Sequence, residues 1–193
     1  MDTAQRRDWR EGTRYSPAGI RGRLSRLEVM VPVTLRPLQS GDLDQLYAWE
    51  CDPDSIRQAA FTRPDPEDRS AFDAHYARIR ADRDVLLCAV LADDVLAGVV
   101  GSFTIDHERD VTYWVDPEQR GRGIATAALS ALLELDMTRP IFARVAAHNT
   151  ASAAVLAQSG FARVRTVRSF AHGVGQEIDE HVFRLDAAAT STR

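Results

Sequence analysis

The stretch Tyr113-Trp114-Val115-Asp116-Pro117-Glu118-Gln119-Arg120-Gly121-Arg122-Gly123-Ile124-Ala125-Thr126-Ala127-Ala128-Leu129 decides how this chain is read. A β-branched and aromatic strand, 111–115, runs into a short loop holding Arg120, Gly121, Arg122 and Gly123, and an amphipathic helix starts at once. A helix N-terminus exposes backbone N–H groups and the positive end of the helix dipole. Glycines remove the Cβ atoms that would hold a phosphate away from those amides, and two arginines offer charge-assisted donors. Together these residues point to a phosphate or pyrophosphate cradle between a strand and a helix.

At that level the turn has three competing uses. A dinucleotide fingerprint requires G-x-G-x-x-G, whereas Gly121-x-Gly123-x-x is followed here by Thr126, and no acid sits at the tip of the next strand. A P-loop requires a lysine, and all 24 basic residues of this chain are arginine. A purely structural glycine turn remains open. The absence of lysine also excludes Schiff-base and pyridoxal chemistry on this chain.

Outward from the turn, the apolar periodicity changes from element to element. VLLCAVL (85–91) and VLAGVVGSFTI (95–105) flank an Asp-rich turn and read as a hairpin, with Gly98 and Gly101 marking a bulge or a close backbone approach. Upstream, VTLRPL (33–38) reads as a strand. Ser40 or Asp42 can cap a helix carrying Leu43, Leu46 and Tyr47. A further helical turn or two follows Asp52-Pro53, and Asp65-Pro66-Glu67 opens a helix with Phe72, His75, Tyr76 and Ile79 on one face. Downstream come a helix over 123–137, a strand IFARVAA (141–147), a helix over 149–158 ended by Ser159-Gly160, and strands at 161–170 and 180–185. The sum is an α+β domain of about seven strands and about four helices.

With 193 residues, 45% hydrophobic and 27% charged, the chain is long enough for one domain with a real core. The net charge is −4 and the arginines are interleaved with acids, which argues against a nucleic-acid surface. No apolar run is long enough for a membrane span, and the N-terminus lacks the apolar segment of a secretory signal. Cys51 and Cys88 are too few for a disulfide framework or a metal site, so a reduced, cytoplasmic, metal-free protein is expected. Residues 1–30 carry seven Arg against four acids and little apolar pattern, so they read as a flexible basic tail; Met30 is an alternative start. The folded domain is placed at 31–187 and a C-terminal tail at 188–193.

Arg120-Gly121-Arg122-Gly123-Ile124-Ala125 resembles the acetyl-CoA pyrophosphate loop of the GNAT acetyltransferases, Q/R-x-x-G-x-G/A, with Arg120, Gly123 and Ala125 at the first, fourth and sixth positions. Asn149-Thr150-Ala151-Ser152 with Gly160-Phe161 is similar to the N-x-x-S…G-F signature of the branch that includes ribosomal-protein N-terminal acetyltransferases. The order of elements over 33–185 fits the whole GNAT domain. The resemblance implies a GNAT-like mixed, mostly antiparallel central sheet flanked by helices, with acetyl-CoA as cosubstrate and no metal. It implies that the backbone of Arg120, Gly121, Arg122, Gly123, Ile124, Ala125 and Thr126 holds the CoA pyrophosphate. It also implies that strand 111–115 splays from strand 141–147, that Trp114 and Val115 flank the thioester with an amide for the oxyanion, and that Asn149 meets the pantetheine arm. Asn149 is equally a plain helix N-cap.

Acetyl transfer to an amine requires loss of an amine proton, a stabilised oxyanion and a departing thiolate. Many GNAT enzymes place a tyrosine seven residues after the Asn to protonate that thiolate; Leu156 stands there in this chain. In the branch it resembles, the serine of N-x-x-S is given that role, which falls to Ser152, otherwise a first-turn serine bonding its own backbone. The branch's glutamate base lands near Ala171, so the neighbouring His172 is a substitute candidate. Asp110, opening the fourth strand, is another, and a water chain is a third. Trp49, Arg57, Phe61 and Arg63 lie in the early helices that overhang the acceptor site in this fold. With no lysine and no cysteine near the motifs, direct transfer is expected over an acetyl-enzyme. The expected acceptor is a protein N-terminal amine, with a small amine such as an aminoglycoside or amino acid as runner-up. A non-catalytic acyl-CoA sensor is the competing class, and a homodimer is the assembly frequent in the family.

Overall fold

The computed structural model describes residues 31–187. The expectations for 1–30, the basic tail or a start at Met30, and for 188–193 lie outside the described residues.

Seven strands form one sheet: β1 (Val33–Pro37), β2 (Leu86–Ala92), β3 (Val95–Ile105), β4 (Glu108–Val115), β5 (Ile141–Ala146), β6 (Ala162–Ala171) and β7 (Gln176–Leu185). Their order is β1-β2-β3-β4-β5-β7-β6, and every neighbouring pair is antiparallel except β4–β5. The β2–β3 and β3–β4 connections are tight turns whose central residues, Asp93-Asp94 and Asp106-His107, all have positive φ. That is the conformation which matches the twist of a two-residue hairpin and which short polar side chains tolerate. Five helices complete the fold: α1 (Leu43–Glu50), α2 (Pro53–Ala59), α3 (Arg69–Ala81), α4 (Ile124–Leu135) and α5 (Thr150–Gln158).

Strand alternation divides the core in two. Val111, Tyr113 and Val115 of β4 and Ile141, Ala143 and Val145 of β5 pack with Ile124, Leu129, Leu132 and Leu156 of α4 and α5. On the other face, Val99 and Trp114 meet Leu46, Trp49, Phe72 and Tyr76 of α1 and α3. Trp49, 5% exposed, is thus a core residue and not a substrate contact.

Local chemistry explains where the elements differ from the sequence expectation. The turn or two after Pro53 is a seven-residue helix, because Asp52 accepts the Ser55 N–H at 2.8 Å and Pro53 opens the first turn; counted separately it gives the described residues five helices. The third helix starts at Arg69 behind an Asp68 cap, four residues after Asp65. Asp42 does not cap α1 with its side chain: its carboxylate accepts the Gln39 N–H at 2.8 Å and pairs with Arg36 at 2.6 Å. The bulge in β3 falls at the β2 step Val90/Leu91, which leaves Ala97 unmatched. Gly98 beside it is needed for close approach, since a Cβ there would strike the backbone oxygen of Trp114.

One break in the sheet positions everything that follows. β4 and β5 pair only at Arg109↔Ile141 and Asp110↔Phe142, and then part. The closed end of this V is held by a buried polar knot. Asp136, just past α4, accepts Ser102 Oγ–H at 2.6 Å, Arg109 Nε–H at 2.7 Å and the Thr138 N–H at 3.0 Å, while Arg109 also donates to Ser102 at 2.8 Å. Burial alone would raise the Asp136 pKa, but the hydrogen bonds from Ser102, Thr138 and Arg109 outweigh it and hold the carboxyl at about 2. A depressed carboxyl contributes stability that is present above its ordinary pKa of 3.8 and lost as pH falls through about 2. Urea denaturation is therefore expected to show the wild type losing roughly 1–2 kcal/mol between pH 5 and pH 2 from this group alone. Asp136→Ala, which strands Arg109, is expected to be about 3 kcal/mol less stable at pH 7 and to lack that increment.

Candidate active site

The Asp116 N–H donates to Ala97 O of β3 at 2.9 Å. Because successive amides of a strand face opposite edges, the N–H groups of Val115 and Tyr113 face the other way, into the gap left by β5. Past the end of β4, a single turn over Pro117–Gln119 leads to the glycine loop. Gly121 and Gly123 have φ of +78° and +77°, a region in which side chains other than glycine are strained. A Cβ at either would meet nothing within 4 Å, so glycine serves here to turn the chain, in open space. Gly123 is the N-cap of α4 and no side chain caps that helix; the first helical bond is Ala127 N–H to Gly123 O at 3.0 Å. The N–H groups of Ile124, Ala125 and Thr126 therefore emerge at the helix end with its positive dipole.

These groups border a cavity of about 720 Å³. Its walls include Trp114 and Val115 from β4, Arg120, Gly121, Arg122, Gly123, Ile124, Ala125 and Thr126 from the loop and first turn of α4, and Asn149 and Ser152 from α5. Each cofactor contact expected from the sequence is therefore on its surface. The two arginines, however, brace the loop. Arg120 donates to Ser55 Oγ at 2.5 Å and Gln58 Oε1 at 3.1 Å, and Arg122 to Gln119 Oε1 at 2.9 Å and Asp93 Oδ2 at 3.1 Å. Asn149 caps α5 by accepting the Ser152 N–H at 3.0 Å, and its Nδ2 donates to Gln58 O at 3.0 Å. Gln58 of α2 thus touches both the glycine loop and the start of α5, linking the two sides of the cavity. Nothing in the local sequence of α2 marks it for this.

Ser152 has a partner that the sequence did not announce: Tyr113 Oη lies 2.6 Å from Ser152 Oγ. Burial pushes the Tyr113 phenol up to about 12, against the opposing pull of Ser152. Leu156, in the place of the family's common tyrosine, is fully buried core.

The other two catalytic candidates lie away from this cavity. Asp110 starts two residues inside β4, on the sheet face opposite Tyr113, and is 2% exposed. Neither of its carboxylate oxygens has a hydrogen bond among the described residues. Arg144 Nε is 3.3 Å from Oδ1 but is not aligned to donate, so the two form an ion pair without a hydrogen bond. Burial raises the Asp110 pKa to about 6; Arg144 opposes the rise, and Glu108 and Glu180 add to it. The Glu108 carboxylate is itself shared by Arg144 at 2.7 Å and Arg165 at 2.8 Å. His172 is exposed on the β6–β7 turn, edge-on to Phe170 with ring centroids 5.1 Å apart. That turn is tied to α2 by Gly173 N–H to Ala60 O at 2.7 Å, and a Cβ at Gly173 would sit 2.6 Å from Ile56 O. Ser152, Asp110 and His172 are thus on three different parts of the molecule. Among the overhanging residues, Arg63 pairs with Glu50, the exposed Arg57 pairs with Asp54, and Phe61 packs beside Ala60 and Ala171. Among the described residues no group of three or more His, Cys, Asp or Glu could hold a metal ion, and no helix is long and apolar enough to cross a membrane.

Solved structures share this overall fold. RimJ from Mycobacterium smegmatis, solved with a CoA disulfide, is 24% identical, with 83% of this chain and 84% of that chain covered and a TM-score of 0.71. The microcin C7 self-immunity acetyltransferase MccE, solved with acetyl-CoA and AMP, is 18% identical over 80% of this chain and 92% of that one, with a TM-score of 0.68. Spermidine N-acetyltransferase from Vibrio cholerae, solved with CoA and spermine, is 19% identical over 79% and 95%, with a TM-score of 0.66. No curated protein matches the sequence. The profile of the acetyltransferase (GNAT) domain matches residues 33–162, spanning β1 to the start of β6, and the chain belongs to that family.

Proposed function

We propose that this enzyme moves the acetyl group of acetyl-CoA directly onto a primary amine, with a protein N-terminal amine as the preferred acceptor and a small amine as the alternative. The donor half rests on one observation: the outward N–H groups of Ile124, Ala125 and Thr126, at an uncapped helix end behind two positive-φ glycines, open on the cavity. A diphosphate satisfies those donors and the dipole together. The pantetheine arm then runs between the parted strands, and the Val115 amide, with its N–H in the gap, is the oxyanion donor. Ser152 faces the leaving sulfur.

On the acceptor side, Asp110 is the first candidate for the amine proton; its carboxyl is buried on the sheet face opposite Tyr113, and its pKa of about 6 leaves it ionised at neutral pH. His172 on the β6–β7 turn is the second candidate for that proton. The N-x-x-S…G-F signature at Asn149–Ser152 and Gly160-Phe161 supports the N-terminal acceptor. The competing reading is a sensor that binds acyl-CoA without turnover, in which neither Asp110 nor His172 acts as a base. We place the enzyme in the cytoplasm, away from nucleic acid and membrane, in keeping with its net charge of −4 and its free Cys51 and Cys88; light scattering tests the homodimer.

Calorimetry with CoA is expected to show one site per chain. Gly123→Ala, forced into a φ of +77°, is expected to bind about tenfold more weakly, because its turn no longer aims the α4 amides. In thiol-release assays, peptides with a free N-terminus are expected to outpace spermidine and an aminoglycoside; binding with no turnover on any amine selects the sensor. The pH–rate profile for the preferred amine is expected to fall below about pH 6 as Asp110 protonates, and Asp110→Asn is expected to lose that limb.

A further inference from the structure

We propose that Tyr113 is a positioning residue for the leaving-group step: its phenol holds the Ser152 hydroxyl so that the Oγ–H is free for the sulfur of the departing coenzyme. This rests on the acetyl-CoA reading of the cavity above.

Three observations carry it. First, Tyr113 and Ser152 both line the cavity, reaching it from the two walls, β4 and α5. Second, Tyr113 Oη is 2.6 Å from Ser152 Oγ and 3.2 Å from Ser152 O, so the hydroxyl of this first-turn serine is bonded to the phenol and not to the carbonyls of its own helix. The Ser152 N–H is fixed separately by Asn149 Oδ1 at 3.0 Å, which leaves the side-chain rotamer as the one freedom for Tyr113 to remove. Third, a hydroxyl has one proton and two lone pairs. When Tyr113 donates to Oγ, the Ser152 proton is left for a third group, and the cavity is where that group lies. Either hydroxyl can donate across this contact; burial keeps the phenol protonated throughout the neutral range, so its proton is available, and Oγ at 2.6 Å is the nearer of its two acceptors, ahead of Ser152 O at 3.2 Å.

The step balances without a net proton leaving either hydroxyl. The carbon–sulfur bond of the tetrahedral intermediate breaks and its electron pair goes to sulfur. Ser152 Oγ–H donates a hydrogen bond to that sulfur, and Tyr113 Oη–H donates one to Oγ. The proton lost by the amine is taken up on the acceptor side, by the base proposed above. The two hydroxyls in series place a donor at the sulfur although the family's tyrosine position is Leu156, whose side chain is in the core. The phenol comes from the strand wall instead of from the helix.

The test needs no acceptor amine. The thiol of CoA bound to the full-length protein is titrated by its ultraviolet thiolate absorbance, with calorimetry of CoA run alongside. A hydrogen bond to the charged form favours it, so the bound thiol is expected to ionise at lower pH in the wild type than in Tyr113→Phe or Ser152→Ala, with about tenfold less thiolate in either variant at the same pH. The double variant is expected to match Ser152→Ala alone, because the phenol acts through the serine. CoA affinity is expected to change less than about threefold in all three, which separates loss of the hydrogen bond from loss of the fold. A wild-type thiol titration in Tyr113→Phe, or a further shift in the double variant, overturns the proposal. If wild-type protein binds no CoA, the coenzyme reading of the cavity fails, and the proposal with it.

Discussion

Backbone amides and carbonyls removed from water must be paired, and the sheet stops pairing two of its own strands partway along. β4 and β5 exchange contacts at Arg109↔Ile141 and Asp110↔Phe142 and then diverge, so the inner edges of both strands lack the ladder that completes every other seam. Strand edges left without a ladder keep their amides and carbonyls available to a ligand in the cavity. The fold keeps this opening because its closed end is locked from below by Ser102, Arg109 and Asp136, and because α4 and α5 pack a continuous apolar layer against one face. An extended ligand with alternating amides is the natural complement of such an edge. The pantetheine of CoA has that chemistry, and its diphosphate suits the helix end at the top of the gap.

The residues around that opening serve it by orienting one another. Arg120 and Arg122 spend hydrogen bonds on Ser55, Gln58, Gln119 and Asp93, which fixes the loop and leaves the backbone to face the cavity. Gln58 joins the loop to the Asn149 cap, so α2, the glycine turn and α5 are braced against one another. Ser152 has its backbone held by Asn149 and its hydroxyl by Tyr113. Such bracing favours a constellation that is formed before the ligand arrives, which lowers the cost of binding and of orienting reacting groups. The charged cluster of Glu108, Asp110, Arg144 and Arg165 is held together by its own ion pairs, and Asp110 within it lies on the sheet face opposite Tyr113.

Much of the architecture was legible because its signals are local. The Asp-Asp turn, the switch from helical to strand periodicity and the short helix ended by Ser159-Gly160 each follow from conformational preferences of a few neighbouring residues. The glycine loop was legible for the same reason: positive φ at Gly121 and Gly123 is a property of the residues themselves. The cap at Asp68 and the bounds of α2 were misplaced by a few residues, since those boundaries depend on which of several candidate caps wins; the bulge and close approach expected at Gly98 fall there, beside Ala97.

What the sequence determined alone is the set of elements, their order, and a loop able to offer amides to a diphosphate, all of which rest on interactions within about a dozen residues. Tertiary structure decided which side chains meet. Asp110 and Tyr113 are three residues apart on one strand, yet the two-residue period of the strand sends one to a buried ion pair and the other to Ser152, 39 positions away. Gln58 reaches Asn149 across 91 positions, and His172 is carried out onto an exposed turn. Those pairings depend on how the helices seat on a twisted, divided sheet, and that is settled only when the whole core packs.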